Sequence, residues 1–263
     1  MRIGFVGAGR MGRPMIGRLV TAGHTVRAVG RSAESRAALA EIGAEPVATV
    51  AEAADAAEAV VVCVFTDDQV REVCLGGSLP RAAVLIVHTT GSPATVTEIA
   101  AAAPTVEVVD APVSGGPHNI ATGELTVFLG GTDEAVRRAR PVVAAYADPV
   151  LHVGPLGAGQ RVKLVNNALF AAQIGLVADA VRLGGQLGVD EATLLGALPH
   201  ASSGGRAVSS VAGKGAVEVF RASVGEFLRK DVAVARALVA ELGGALGILD
   251  AAIDAGIPAT DRN

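Results

Sequence analysis

The chain has 263 residues, of which 51% are hydrophobic and 18% are charged, and its net charge is -4. This balance fits a compact soluble protein or a buried oligomer interface. With no Trp and one Tyr, it has neither the basic stripe nor the stacking platform of a nucleic-acid-binding protein. The sequence contains no run of about 18 uncharged apolar residues, the length that would predict a membrane span. Arg10 interrupts the first apolar stretch too early for a signal peptide, so a cytoplasmic protein is expected.

Two residue types are scarce enough to be informative. Cys63 and Cys74 are the only cysteines, and Cys63 lies inside an apolar run, which predicts buried thiols in a reducing compartment and no metal site. The 22 basic residues include only three lysines, Lys163, Lys214 and Lys230. A lysine retained in so Arg-rich a chain is a candidate for a titratable amine, which Arg cannot supply.

Short β-rich runs alternate with helical patterns through the first half of the chain. Strands are predicted at 2–6, 25–29, 60–65, 83–88, 107–110, 126–129 and 149–152, with helical segments such as 32–42 and 133–146 between them. Such alternation predicts an α/β domain, a Rossmann-type doubly wound and mostly parallel sheet with both faces covered. After Gly154 and Pro155 the strand signals end and long helical patterns follow. We therefore predict two domains, residues 1–154 and 155–263, the second all-helical.

The first predicted strand runs directly into a glycine-rich turn with the spacing GxGxxG. Gly7, Gly9 and Gly12 stand between an apolar strand and a helical pattern, with Ala8, Arg10 and Met11 between them. In a dinucleotide site the first glycine makes the turn, the second admits the pyrophosphate and the third lets helix and strand pack. The amides at the helix start would hold the phosphate charge. The turn predicts a nicotinamide dinucleotide, and an ordinary glycine-rich turn is the alternative.

The end of the second predicted strand indicates which dinucleotide is bound. An NAD-preferring site carries Asp or Glu there for the ribose 2′-hydroxyl, whereas this chain has Gly30, Arg31 and Ser32. Arg31 offers a bidentate cation and Ser32 a hydroxyl donor to a 2′-phosphate, which predicts NADP, with NAD possible. The alternative is a solvated Arg31 and a Ser32 that only caps a helix, and the two interpretations of Ser32 can coexist.

Two further segments carry chemistry. The run DAPVSGG after the strand at 107–110 forms an irregular loop at the ligand-binding edge of the sheet, where Ser114, Gly115 and Gly116 could hold a substrate carboxylate. In GAGQRVKLVNN, Gly159, Lys163 and Asn167 recur every four residues and share one helix face, with Asn166 beside them. Without function this would be a surface lysine followed by two amides that disfavour a helix.

These three motifs, in this order and spacing, resemble the β-hydroxyacid dehydrogenase family over nearly the whole chain. FVGAGRMGRPM is similar to the family's cofactor turn, DAPVSGG to its substrate loop and GAGQRVKLVNN to its catalytic helix. The resemblance implies a Rossmann domain, a long interdomain helix and an all-helical domain that usually forms a homodimer. The chain stops soon after Pro258, which predicts that the family's last helix is missing or shortened.

The resemblance also implies roles for single residues. Lys163 would be catalytic, Asn167 its catalytic or substrate-binding partner, and Ser114, Gly115 and Gly116 the substrate-carboxylate clamp. Thr90 matches the family's cofactor loop, and Thr66 is assigned to the cofactor site with it. Lys230 in FLRKD matches a late element whose lysine reaches the cofactor. His118, after the glycine pair, either contacts substrate or is a loop histidine without a role.

The expected reaction is hydride transfer between the substrate's carbinol carbon and the nicotinamide, with Lys163 moving the hydroxyl proton. As a base the amine must be neutral, so burial or a nearby cation such as Lys230 should lower its pKa from about 10.4. An imine reductase of the same architecture is one alternative, although such enzymes typically lack the lysine. A non-catalytic dinucleotide-binding module is the other. The sequence names neither the substrate nor the reaction direction.

Overall fold

The computed structural model describes residues 1–76 and 83–257, and the chain divides into two compact units, Met1–Lys163 and Leu164–Asn263. The division falls nine residues after the predicted domain boundary at 154/155, within a long helix, Ala158–Gln186. The first turn of this helix makes its tertiary hydrogen bonds with the first unit, which explains the later division. A boundary at 154/155 stays a prediction.

Among the described residues, the first unit contains nine strands and seven complete helices. The strands are β1 Arg2–Val6, β2 Thr25–Val29, β3 Glu45–Val47, β4 Ala59–Val62, β5 Val84–Val87, β6 Glu107–Asp110, β7 Val113–Ser114, β8 Leu125–Gly130 and β9 Ala147–Gly154. The helices are α1 Gly12–Thr21, α2 Ala33–Glu41, α3 Val50–Ala54, α4 Asp67–Leu75, α5 Pro93–Ala102, α6 Pro117–Thr122 and α7 Asp133–Val143.

These strands form one sheet in the order β3-β2-β1-β4-β5-β6-β8-β7, with β9 paired to β8. The pairs from β3 through β6 are parallel, as is β8–β9, whereas β8 runs antiparallel to β6 and β7. The mostly parallel, helix-covered sheet confirms the predicted Rossmann-type fold. Its order reverses between β1 and β4, and ligands bind at the carboxyl edge beside such a reversal.

Alternating residues of the central strands enter two separate cores. Val61 and Ile86 pack with Phe5 in the core on one face of the sheet, whereas Val60 and Leu85 belong to the core on the other face. Because successive side chains of a strand point to opposite faces, a strand covered on both sides must be apolar throughout. This explains the unbroken apolar runs of β4 and β5, whose residues are all buried.

All seven predicted strands are present, with ends that shift by up to three residues, but two strands were not predicted. β3 has three residues and includes Pro46, which disfavours a strand in the sequence, although proline is tolerated in an edge strand such as β3. β7 has two residues and lies inside the predicted substrate loop. Both owe their strand conformation to pairing with a longer neighbour, to β2 and β8 respectively.

Helices make up the regular structure of the second unit among its described residues. They are the remainder of α8 Ala158–Gln186, then α9 Glu191–Ala197, α10 Arg206–Ala212, α11 Val217–Glu241 and α12 Ile248–Gly256, with a 3-10 turn at Leu198–His200. Ala171, Ile174, Phe220 and Leu228 are among the residues of its core. The predicted all-helical second half is confirmed, and Pro258 lies outside the described residues.

Helix α8 is long and apolar enough to span a membrane by length and composition, since an 18-residue window reaches a mean hydropathy of 1.4. The sequence predicts no membrane span here, because the segment has no run of about 18 uncharged apolar residues. In the structure 44% of the window is buried inside the protein, and core residues Ala168, Ala171 and Ile174 lie on it. Core helices of soluble proteins pass the same test, so length and composition alone do not make α8 a membrane span.

Candidate active site

The three glycines of the predicted phosphate-binding turn have three different environments. Gly7 has φ +105°, and a Cβ there would stand 2.1 Å from the carbonyl oxygen of Cys63 in the adjacent chain segment. A Cβ on Gly12, where α1 begins, would meet the Gly7 oxygen at 2.0 Å. Gly9 is exposed, and no atom lies within 4 Å of its Cβ position. The turn is therefore tight at both ends and open in the middle, as a pyrophosphate requires.

The side chains within this turn leave its mouth open to solvent. Arg10 is exposed, Ala8 and Met11 are half-buried against the core, and Met11 immediately precedes α1. The arrangement fits a dinucleotide whose pyrophosphate approaches the Gly9 backbone at the start of α1.

The segment after β2 contains a second arginine that the sequence analysis did not assign. Arg31 and Ser32 are exposed, and the Ser32 hydroxyl accepts a hydrogen bond from the Ser35 N–H at 3.0 Å, so Ser32 caps α2. Arg36, one turn into α2, donates from Nη1 to the Gly30 carbonyl at 2.9 Å. This bond braces the turn that presents Arg31 and adds a positive charge beside it. The sequence feature that could have indicated Arg36 is its position, one helical turn after the capping residue Ser32.

Two neighbouring loops at the carboxyl edge of the sheet are joined by Thr89. Its hydroxyl donates to the Val64 carbonyl and accepts from the Val64 N–H, both at 3.0 Å, which ties the loop after β4 to the loop after β5. Thr66 caps α4 through its hydroxyl and the Gln69 N–H, whereas Thr90 is half-buried beside Thr89. Contacts of Thr66 and Thr90 with a cofactor stay predictions.

The predicted substrate loop is shaped by an asparagine that follows it. The Asn119 carbonyl oxygen accepts from the Gly116 N–H at 2.9 Å, so this amide is already engaged. Gly115 is exposed with φ +130°, and Ser114 is half-buried at the end of β7. Ser114 and Gly115 are therefore the first candidates for a carboxylate, and a contact at Gly116 stays a prediction. His118 is exposed in the first turn of α6.

The candidate catalytic residues lie on the first three turns of α8. Lys163 is 8% exposed and Asn167 is 2% exposed, and the four-residue spacing places them one above the other on the helix. A lysine is seldom buried to this degree without a partner or a function. The alternative of a surface lysine is wrong.

In the second unit, Asn167 is held by a neighbour that sequence reasoning did not assign. Its Nδ2 donates to Oδ2 of Asp231 on α11 at 2.5 Å, and its carbonyl oxygen accepts from Asn166 at 2.9 Å. Asp231 is 3% exposed and forms an ion pair with Lys230 at 2.7 Å. The FLRKD segment thus supplies a buried carboxylate that orients the Asn167 amide. The sequence feature that could have indicated Asp231 is its position directly after Lys230.

Within the first unit, two buried polar residues connect the loops to the start of α8. The Asp110 carboxylate accepts from the N–H of Gly157 at 2.6 Å and from the N–H of Gln160 at 2.7 Å. The Gln160 amide accepts from the Gly91 N–H at 3.0 Å and donates to the Thr89 carbonyl at 2.8 Å. Burial raises the pKa of Asp110, and the two N–H donors oppose this rise. Neither residue was predicted as functional.

A buried histidine makes a third connection between the loops. Nδ1 of His88 lies 2.6 Å from the Ala111 carbonyl, and Nε2 lies 2.8 Å from the Tyr146 hydroxyl. Burial lowers the pKa of His88 to about 4, so the ring is neutral at pH 7. Because a carbonyl only accepts, Nδ1 carries the proton and Tyr146 donates to Nε2. Burial also raises the pKa of the Cys63 and Cys74 thiols to about 12, as expected for inert cysteines.

Two family profiles together cover most of the chain. The profile of the NAD-binding domain of 6-phosphogluconate dehydrogenase matches residues 2–154. The profile described as the NAD-binding domain of NADP-dependent 3-hydroxyisobutyrate dehydrogenase matches residues 157–255. The first match coincides with the glycine turn and the sheet, and the second with the helices from α8 onward.

Individual proteins give the same picture. A 3-hydroxyisobutyrate dehydrogenase of Pseudomonas aeruginosa is 35% identical over 79% of this chain and 72% of its own length. A 3-sulfolactaldehyde reductase of Escherichia coli is 35% identical over 69% of this chain and 63% of its own. The structure of a Mycobacterium tuberculosis 3-hydroxyisobutyrate dehydrogenase with L-serine aligns with a TM-score of 0.84 at 30% identity, covering 96% of this chain and 91% of that one. A Streptomyces aurantiacus imine reductase shares the fold alone, with 20% identity and a TM-score of 0.65 over 96% of this chain and 98% of that one.

The sheet, the glycine turn and the profile match define a protein with a binding domain for a nicotinamide dinucleotide. The chain belongs to the β-hydroxyacid dehydrogenase family, a family of NAD(P)-dependent hydroxyacid oxidoreductases.

Proposed function

We propose that this protein transfers a hydride between NADP(H) and a short β-hydroxyacid or its semialdehyde, with Lys163 as proton donor and acceptor. The observation that carries the proposal is the burial of Lys163, at 8% exposure, one turn before the buried Asn167. Removing an ammonium group from water costs several kcal/mol, so its place on this helix calls for a compensating partner or a function.

When bound, the nicotinamide accepts or supplies the hydride at the carbinol carbon of the substrate. In the oxidation direction the neutral Lys163 amine takes the proton of the substrate hydroxyl. In the reduction direction the charged amine polarises the carbonyl and returns the proton. Arg could supply the charge but could not give up its proton, which makes lysine necessary. We expect Asn167, whose amide is oriented by Asp231 and Asn166, to bind the substrate oxygen or the lysine.

A substrate with an anionic group fits the loop after β6. The Ser114 hydroxyl and the backbone around Gly115 provide donors at the carboxyl edge of the sheet. The relatives named above act on 3-hydroxyisobutyrate and 3-sulfolactaldehyde, which are small molecules with a carboxylate or a sulfonate. This supports a short acidic substrate and leaves the choice between them to experiment.

Preference for NADP is supported by the segment after β2. Arg31 is exposed there, and Arg36 adds a second cation in the next turn. The turn itself has no carboxylate that would repel a 2′-phosphate. We expect Arg31→Ala to lower kcat/KM with NADP at least about tenfold and to change kcat/KM with NAD little. Equal losses with both cofactors would contradict the assignment.

The test of the proposed reaction is a panel of short 3-hydroxyacids and semialdehydes, each assayed with NADP(H) and NAD(H). Lys163→Ala and Lys163→Arg should each lower kcat by at least about 100-fold, while NADPH binding, followed by its fluorescence, is retained. Lys214→Ala, which removes an exposed lysine, is the matched control and should keep wild-type kcat. Near-normal turnover in Lys163→Ala would refute the role assigned to this lysine.

The same panel separates the alternatives. A cyclic imine added to it tests the imine reductase alternative, which the presence of Lys163 disfavours. A non-catalytic dinucleotide-binding module would bind NADPH and turn over no compound of the panel.

We also propose a cytoplasmic homodimer or higher homo-oligomer. The support is a row of apolar side chains on one exposed side of α8, within the second unit. Its members Val165, Leu169, Leu176 and Leu183 are between 46% and 67% exposed. A row of this kind favours self-association in a soluble protein. Leu176→Glu should shift the mass measured by light scattering toward the monomer, and a wild-type monomer would refute the proposal.

A further inference from the structure

Three functional segments of the first unit meet at two buried side chains. Asp110 is the last residue of β6 and the first of the DAPVSGG segment and is 0% exposed, and Gln160 lies in the first turn of α8 and is 1% exposed. Asp110 caps the start of α8 through the N–H groups of Gly157 and Gln160. Gln160 binds the cofactor loop on both sides of Thr90, through the Thr89 carbonyl and the Gly91 N–H.

The surrounding backbone leaves room for the Asp110 carboxylate. A Cβ on Gly130 would lie 2.3 Å from Oδ1 of Asp110, and a Cβ on Gly159 would lie 2.8 Å from its Oδ2. Both glycines therefore allow β8 and α8 to close around the carboxylate. Its two oxygens each accept a short N–H bond at the positive end of a helix, where a negative charge is stabilised.

Lys163 follows Gln160 by three residues, so the two side chains share one side of α8. A shift of the first turn relative to the loop at 89–91 would carry Lys163 with it. The four hydrogen bonds, which range from 2.6 to 3.0 Å, tie this turn both to Asp110 and to the loop at 89–91. Reacting groups must be held to a fraction of an ångström for efficient transfer.

We propose that Asp110 and Gln160 are positioning residues, which act by holding Lys163 in register with the cofactor loop and the substrate loop. The inference rests on the proposed catalytic role of Lys163. Neither side chain needs to touch the substrate or the cofactor for this purpose, because Asp110 binds the backbone at the start of α8 and Gln160 binds the backbone of the loop at 89–91.

The first experiment is Gln160→Met, which keeps the length of the side chain and removes both hydrogen bonds. We expect kcat for oxidation of 3-hydroxyisobutyrate, or of the panel acid that the wild type oxidises fastest, to fall about 10- to 100-fold. The Kd for NADPH, from its fluorescence, should stay within about threefold of the wild type. Gln186→Met, an exposed position at the end of α8, is the matched control and should keep the wild-type kcat.

Asp110→Asn is the second variant, because it keeps the size of the side chain and is informative if Gln160→Met folds poorly. Its amide can replace one carboxylate oxygen as acceptor but turns a donor toward one of the two N–H groups. We expect a fall in kcat of about tenfold or more, again with the Kd for NADPH retained. A fall in kcat that only parallels the loss of folded protein or of NADPH affinity would overturn the inference.

A double-mutant cycle with Lys163→Ala separates positioning of the lysine from a general structural effect. If Gln160 acts through Lys163, adding Gln160→Met to Lys163→Ala should lower the residual rate by less than about threefold. Losses that multiply would show that Gln160 acts elsewhere and would overturn the inference. The proposed function fails separately, if Lys163→Ala alone keeps wild-type turnover.

Discussion

The buried pair of His88 and Tyr146 predicts that the first unit loses stability in mild acid. Folded His88 is neutral because burial lowers its pKa to about 4, against 6.5 for an exposed histidine. Between these two values the unfolded chain binds a proton that the folded chain does not. Stability is therefore complete above pH 6.5, falls as the pH decreases toward 4, and loses nothing more from this group below that.

The size of the effect follows from the two pKa values of His88. A tenfold change in proton affinity corresponds to about 1.4 kcal/mol, so lowering the pKa from 6.5 to about 4 gives a total of about 3 kcal/mol. At pH 5 about 2 kcal/mol of this should already be lost. Asp110 acts in the opposite sense, since burial raises the pKa of its carboxyl group. The comparison of wild type with a His88 variant removes this contribution.

The assay is urea denaturation at pH 7 and pH 5, followed by tyrosine fluorescence. Tyr146 is the only tyrosine and the chain has no Trp, so the signal reports the unit that contains His88. His88→Asn keeps a donor for the Ala111 carbonyl and removes the titrating ring. It should be less stable than the wild type at pH 7 and should lose about 2 kcal/mol less on going to pH 5.

His118→Asn serves as the control, because it removes an exposed histidine of the same unit and should retain the wild-type loss between pH 7 and pH 5. If His88→Asn loses as much stability as the wild type over this range, His88 is not the group responsible. The reasoning from burial to acid sensitivity would then be refuted.

Three further substitutions test the site. Gly9→Ala should keep the wild-type Tm and weaken NADPH binding about tenfold or more, because its Cβ position is open and a pyrophosphate needs that space. Gly17→Ala, with equally open space in α1, is the control in a fluorescence titration. Equal Kd values for NADPH in the two variants would contradict the role of Gly9. Gly115→Ala places a Cβ 2.8 Å from Oδ1 of Asn119 at φ +130°, and should raise the substrate KM about tenfold in steady-state assays without changing the Kd for NADPH. Asp231→Ala should lower kcat more than Asp231→Asn, since only the latter keeps an acceptor for Asn167, and equal rates would argue against that hydrogen bond.

The sequence alone was sufficient for features that depend on local order along the chain. The bounds of β1 and β2 and the turn between β1 and α1 were predicted as observed, because an apolar strand followed by GxGxxG admits few other conformations. Lys163 and Asn167 were predicted to share a helix face, which follows from helical spacing alone. The scarcity of lysine in an Arg-rich chain also marked Lys163 as a candidate for a titratable amine.

Only the tertiary structure could assign Asp110, Gln160, His88 and Asp231. Asp110 caps a helix that begins 48 residues later, and Asn167 binds a carboxylate 64 residues away, so no local pattern marks either pair. These groups are defined by hydrogen bonds formed once the strands and helices have packed, when a buried polar atom must find a partner or lose several kcal/mol. The sequence therefore determined the family and the candidate catalytic residues, and the packing of its segments decided which buried groups form hydrogen bonds around them.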